Sequence, residues 1–213
     1  MWRAALILCL YASAAEAGAW LREPGAGFFA LSGTVNDRME NATSLYVEYG
    51  LREALTLGAD LDVKTQGGAY TSGGGRVFAR LPLGDGTWKS SWMLGLGARV
   101  DSSHINPFAS LGYSVGRGLD WRGGGWANLD LRLDLGRGDT SQVKLDGTVG
   151  LKIGDKGKAM MQLFLTLKDD SGLEATLAPS YVFAPGKHGA SWHIGVEAKK
   201  AELAIKLGLW RDF

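Results

Sequence analysis

Three sets of side chains in this sequence could do chemistry: histidines near serines, closely spaced carboxylates, and charges that recur at every second position. His104 follows Ser102 and Ser103, His193 lies two residues after Ser191, and His188 stands apart. A hydrolase needs a nucleophile, a base and an orienting group within hydrogen-bond reach. The sequence identifies no acidic or amide partner for either histidine–serine pair, so no catalytic residue is assigned. The plain alternatives are a polar loop cluster for His104, a turn for His188 and an inward strand position for His193. Asp60-x-Asp62 and the pair Asp130 and Asp134 have the oxygen chemistry of a hard-cation site. At period two, however, they share a strand face with lysines and arginines and read as paired carboxylates, so neither a metal nor another cofactor is expected. Gly25-x-Gly27 has no helix after it and cannot cradle a phosphate.

The alternating charges are the most extensive set. Glu48, Asp60, Asp62, Lys64, Arg76, Arg80, Lys89, Arg99, Asp130, Arg132, Asp134, Lys144, Asp146, Lys152, Glu197 and Lys206 each sit in a run whose intervening residues are apolar. In Leu55–Lys64 the apolar positions are Leu55, Leu57, Ala59, Leu61 and Val63; in Trp126–Leu135 they are Ala127, Leu129, Leu131, Leu133 and Leu135. In Glu202–Phe213 they are Leu203, Ile205, Leu207, Leu209 and Phe213. Side chains alternate faces along a strand, so each run is a strand with one apolar and one ionic face.

The same pattern marks Gly25–Val35, Ser44–Leu51, Arg76–Leu83, Trp88–Arg99, Pro107–Val115, Gln142–Lys152, Lys158–Lys168, Gly172–Ala184 and Ala190–Lys199. Between them, Asn36–Thr43 is expected to be a polar loop, Thr65–Gly74 a Gly/Ser loop and Gly84–Thr87 a hairpin turn. The series amounts to roughly twelve strands of ordinary length, with no competing helical periodicity. Short connections make an up-and-down antiparallel meander the simplest topology. Pro179, in the middle of a run, is expected to force a bulge or a strand break.

An open sheet of this size would leave two unpaired edges, so closure into a barrel is expected. Its lumen would be wider than side chains alone fill, since about eight strands is the filled size. A wide apolar lumen would be a void, and an Arg or Lys facing lipid at mid-depth costs about 2–4 kcal/mol. The ionic face therefore points inward and the apolar face outward, which makes the barrel transmembrane. Trp20, Trp88, Trp126, Trp192 and Phe213 fall near the strand ends on the side of the chain termini and are expected to form an aromatic girdle at the membrane interface. Trp210 is out of phase with the apolar face and is expected to point inward.

Composition agrees with this reading. The chain has 213 residues, 32 of them glycine and 5 proline, and a formal net charge of +1. That balance and the lack of a basic–aromatic patch give no case for nucleic acid. Apolar residues make up 46%, yet mean hydropathy is -0.03, as alternation produces. The one apolar block follows Arg3, spans Ala4–Ala12 and leads to Ala15-Glu16-Ala17. This is the plan of a leader peptide, residues 1–17, with cleavage expected after Ala17. The single cysteine, Cys9, lies within it and lacks the context of a lipid-anchored cysteine, so residues 18–213, the barrel, contain no thiol.

The leader, the strand series and a terminal strand closing on Phe213 resemble Gram-negative outer-membrane β-barrel proteins. That resemblance implies the cell outer membrane as location, its lipid as surroundings, and the export and barrel-insertion machinery as partners, with Glu202–Phe213 as the insertion signal. Tyr49-Gly50-Leu51 and Leu55-Thr56-Leu57-Gly58 resemble a hairpin found in barrels assigned to transport in aromatic-degradation pathways, which implies a small-molecule channel. Barrel lipases and deacylases carry the order His-x-Ser, whereas here it is reversed in Ser191-Trp192-His193. The reading that follows is a narrow passive channel for small solutes with a mixed-charge lumen, the connecting loops being too short to fold in as a plug. The alternatives are a sealed structural barrel, a lipid-modifying hydrolase using His104 or His193, and a soluble periplasmic β-sheet protein.

Overall fold

The computed structural model describes residues 18–84, 86–101, 103–121, 123–136, 141–168, 172–185, 189–200 and 202–213. The expected leader, Ser102 and His188 lie outside the described residues.

Alternation yields twelve strands: β1 (Gly27–Asn36), β2 (Glu40–Arg52), β3 (Leu55–Gln66), β4 (Ala69–Gly84), β5 (Lys89–Asp101) and β6 (Ile105–Leu119), followed by β7 (Gly125–Gly136), β8 (Gln142–Ile153), β9 (Gly157–Lys168), β10 (Gly172–Phe183), β11 (Ala190–Lys199) and β12 (Glu202–Asp212). Each strand pairs antiparallel with its sequence neighbours, and β1 pairs with β12, closing the barrel. At that seam Gly27 N donates to Phe213 O at 2.6 Å and Phe213 N donates to Gly27 O at 3.0 Å. Every strand therefore has two partners, as a sheet in lipid requires.

Several strands run further than their alternation. Glu40–Thr43, expected in a loop, pairs along β3 as far as Glu40 with Gln66, so the connection shrinks to the tight turn at 37–39. Gly73 and Gly74, also expected in a loop, lie within β4, each paired with both β3 and β5. Polar and small residues are poor strand formers in isolation, but here two partner strands hold them. Pro179 causes neither a bulge nor a break. β10 keeps an unshifted register with β9 through Pro179 and Met161. On the other side, pairing with β11 lapses between Leu177 and Ser180 and resumes in the same register. The missing N–H thus costs a short gap in one ladder.

The outer wall is apolar. Leu57, Leu61, Leu94, Leu129, Leu131, Leu163, Ile205 and Leu207 are exposed, and Leu96 is 68% exposed. The buried side chains all lie in the interior, where Trp126, Met160 and Val182 form a small apolar core. Apolar residues outside and buried polar residues inside invert the soluble pattern and suit a chain whose outer solvent is lipid.

Candidate functional site in the barrel lumen

The inner wall encloses a cavity of about 510 Å³ whose lining mixes cations and anions, Arg76, Arg132 and Lys144 with Asp60, Asp130 and Asp146 among them. Strand parity puts Asp60, Arg76, Asp130, Arg132, Lys144 and Asp146 on this face. Register sets Asp60 directly opposite Arg76, with which it forms an ion pair. It also sets Asp130 opposite Asp146 and Arg132 opposite Lys144, like charges directly across from one another. Asp134, 1% exposed, receives Arg99 Nη2 at 2.8 Å and lies 3.3 Å from Arg132 Nε. It also accepts from Ser110 Oγ at 2.7 Å and Gln142 Nε2 at 2.8 Å. Lys206 Nζ donates to Glu197 at 2.9 Å. Lys144 and Asp146 line the cavity on adjacent inward positions of β8. Asp62 and Lys64, further along β3, are exposed, and Lys89 begins β5 in a half-buried position.

Glu48, also 1% exposed, is the second hub. It binds Arg80 Nε at 3.0 Å and Arg22 Nε at 3.0 Å, and it accepts from the Tyr46 hydroxyl at 2.5 Å. Aromatic rings lie against these cations: Arg76 and Arg80 are over the Phe78 ring at 5.1 and 5.2 Å, and Arg22 is over Phe28 at 4.6 Å.

Arg22 belongs to a part of the site that periodicity could not show. No loop among the described residues folds into the barrel, but the segment before β1 does. Gly18 O accepts from Arg80 Nη1 at 2.6 Å and from Ser91 Oγ at 2.7 Å, both donors buried. Arg22 N donates to Thr56 Oγ1 at 2.9 Å. Two glycines make room: a side chain at Gly116 would strike the Trp20 ring, and one at Gly50 would strike the backbone of Arg22 and Glu23. The expectation about plugging concerned the connecting loops alone; the segment before β1, which it did not consider, occupies the lumen at the end where the termini lie.

The aromatic girdle is also corrected in part. Trp88, Trp192 and Phe213 are 55%, 51% and 58% exposed and point outward. Trp126 is 2% exposed and lies inside with Met160 and Val182, and Trp20 packs against it. The physical reason is parity: Trp126 is in phase with Asn128 and Asp130, not with Leu129. Trp210, inward as expected, joins the same core and lies 4.8 Å from the His193 ring and 5.8 Å from Phe28.

Among the described residues no serine hydroxyl is hydrogen-bonded to His104 or His193, although His104 Nδ1 lies 3.8 Å from Asp101 Oδ1. His193 is buried, and neither of its ring nitrogens has a hydrogen-bond partner among the described residues. His104 is exposed, and its backbone N–H and that of Ser103 both donate to Asp101 Oδ1 at 2.8 Å, which is a turn cap.

No protein-family model matches the chain, and no curated protein sequence matches it. Among solved structures, the barrel is similar to the KdgM porin, at 13% identity and a TM-score of 0.63 over 87% of this chain and 99% of that one. It is similar to the NanC porin at 12% identity and a TM-score of 0.65, over 86% and 98%. The β domain of the Bordetella autotransporter BrkA follows at 16% identity and a TM-score of 0.52, over 90% and 100%. At these identities the likeness is one of fold: a twelve-stranded barrel of the kind that outer-membrane porins use.

Proposed function

We propose that this protein is a narrow passive channel for small polar solutes across the outer membrane, with a lumen that carries both signs of charge. The observation that carries this reading is the ionic cavity itself, walled by a closed sheet whose outer face is apolar. Arg76 is 6% exposed, and its Nε and Nη1 have no hydrogen-bond partner among the described residues. A buried guanidinium with free donors beside a cavity suits an acceptor-bearing solute or its water shell. The KdgM porin has been seen in complex with disordered oligogalacturonate; here the facing carboxylates favour neutral or zwitterionic solutes over polyanions. The class extends to aromatic compounds, supported by the transporter-like hairpin at Tyr49–Gly58 and by Tyr46 stacked on Phe78 at 5.9 Å beside the cavity. Outer-membrane lipid surrounds the barrel, and Glu202–Phe213 is what the insertion machinery engages.

A sealed barrel is the second reading, favoured by the filling of one end of the lumen with Trp20, Trp126 and Trp210. Single-channel current through the purified protein in a planar bilayer tests both. Discrete steps with weak ion preference are expected of a channel. Stable insertion with no current, together with current once residues 18–24 are deleted, would replace the open channel by a plugged one. No current from either form would overturn the channel.

A further inference from the structure

The first described residue, Gly18, has its α-carbon against the carboxylate of Asp130, deep in the barrel: any side chain there would collide with Asp130 Oδ1 and the Ser114 hydroxyl. Its φ of +53° lies in the left-handed region that favours glycine. Nitrogen and a would-be Cβ are carried by the same α-carbon, so the Gly18 nitrogen lies no more than about 4.3 Å from that carboxylate oxygen. Asp130 accepts hydrogen bonds from the Ser114 hydroxyl and the Asn128 amide. No cation among the described residues lies within ion-pair distance of it, whereas Glu48, Asp60, Asp134 and Glu197 each have one; Asp62 and Asp146, which line the same cavity, share that lack. Asp130 is half-buried, and a carboxylate drawn partly out of water gains from a partner charge. The leader pattern, read independently of these contacts, ends at Ala17, so cleavage there would create a new ammonium at Gly18.

We propose that Asp130 is a docking site for the α-ammonium of Gly18, and that removal of the leader locks the segment from Gly18 to Arg22 inside the lumen as an internal plug. The pair forms only on the processed chain, because in the precursor the same nitrogen is a neutral amide. Arg80 and Ser91 hold the Gly18 carbonyl, Trp20 fills the space beside Trp126, and Arg22 ties the exit of the segment to Glu48. The proposal rests on cleavage after Ala17 and is independent of whether the barrel conducts.

The test takes the processed chain purified from membranes, reads its first residue by mass spectrometry, and measures how fast a small water-soluble acetylating reagent modifies the α-amine near neutral pH. An ordinary α-amine has a pKa of about 7.7–8.0 and reacts through its free base; one held as an ammonium against a carboxylate is protected. We expect Gly18 as the first residue and acetylation at least about tenfold slower in the folded than in the unfolded protein, since about 1.4 kcal/mol of protection gives that factor. Asp130→Asn should restore most of the rate. If that variant does not insert, a chain with one alanine placed before Gly18 decides, because it moves the amine by about 3.8 Å and leaves Asp130 in place. A different first residue, or equal protection in the native and alanine-extended chains, would overturn the docking site.

Discussion

Glu48→Gln is the sharpest test of how the inner wall is held together. The carboxylate is 1% exposed and lies 3.0 Å from both Arg22 Nε and Arg80 Nε. At an effective dielectric constant of about 20, two unit charges about 4 Å apart attract by about 4 kcal/mol. Desolvation of the ions offsets much of that gain, so the pairs add little compared with an apolar wall. Removing one partner alone is different, because the desolvated cations stay behind; the usual cost is about 3–5 kcal/mol. Arg80 keeps its bonds to Gly18 O and Tyr46, which points to the lower end, about 3 kcal/mol. Urea unfolding of the protein folded in lipid vesicles reads this as a lowered midpoint at unchanged slope. Arg22→Gln removes one arm of the same hub, so the double variant should lose at least about 1 kcal/mol less than the sum of the two single losses. A Glu48→Gln variant within about 1 kcal/mol of the native protein, or strict additivity, would refute the view that Glu48 fastens the segment before β1 to the wall.

Arg76→Glu reverses a charge beside the cavity, and the reversal potential in a salt gradient should move toward cation preference; an unchanged potential would remove Arg76 from the ion path. Leu131→Arg puts a cation on the outer face at mid-strand, and the loss of folding free energy in vesicles should be about 2–4 kcal/mol. Trp126→Ala should cost about 3–5 kcal/mol as a buried ring is lost from a packed core, and Trp88→Ala, at the outer rim, markedly less. The reverse ranking by urea midpoint would count against the inward placement of Trp126.

The architecture was legible because one physical rule covers most of the chain. Strands of period two with one ionic face fix the strand number, the meander and which face meets lipid, and closure follows from the cost of edges. The same rule assigns Glu48, Asp60, Arg76 and Asp134 to the inner wall before any contact is known. What it missed falls into two kinds. Trp126 was judged by its place near a strand end instead of by its phase, and phase was the better guide. The segment from Gly18 to Arg22 has no periodicity to read, because it crosses the lumen in contact with several strands rather than in register with one. A weaker signal existed in Gly50 and Gly116, which lie at inward positions where a side chain would be affordable unless something passes close by. Which carboxylate meets which arginine also depends on register, and register between strands needs the structure.

The hydrogen bonds between Gly27 and Phe213 have a consequence for assembly. Every other joint in the ring links strands adjacent in sequence and can form locally, at small loop-closure entropy. The β1–β12 joint alone unites opposite ends of the strand series, the largest sequence separation in the molecule, and contacts of that kind form slowly. The ring therefore completes in one late step, and before it the sheet carries two free borders whose N–H and C=O groups lipid cannot satisfy. Closure then acts as a switch in time: a nascent sheet is recognisable by its open borders, and a finished barrel by their disappearance.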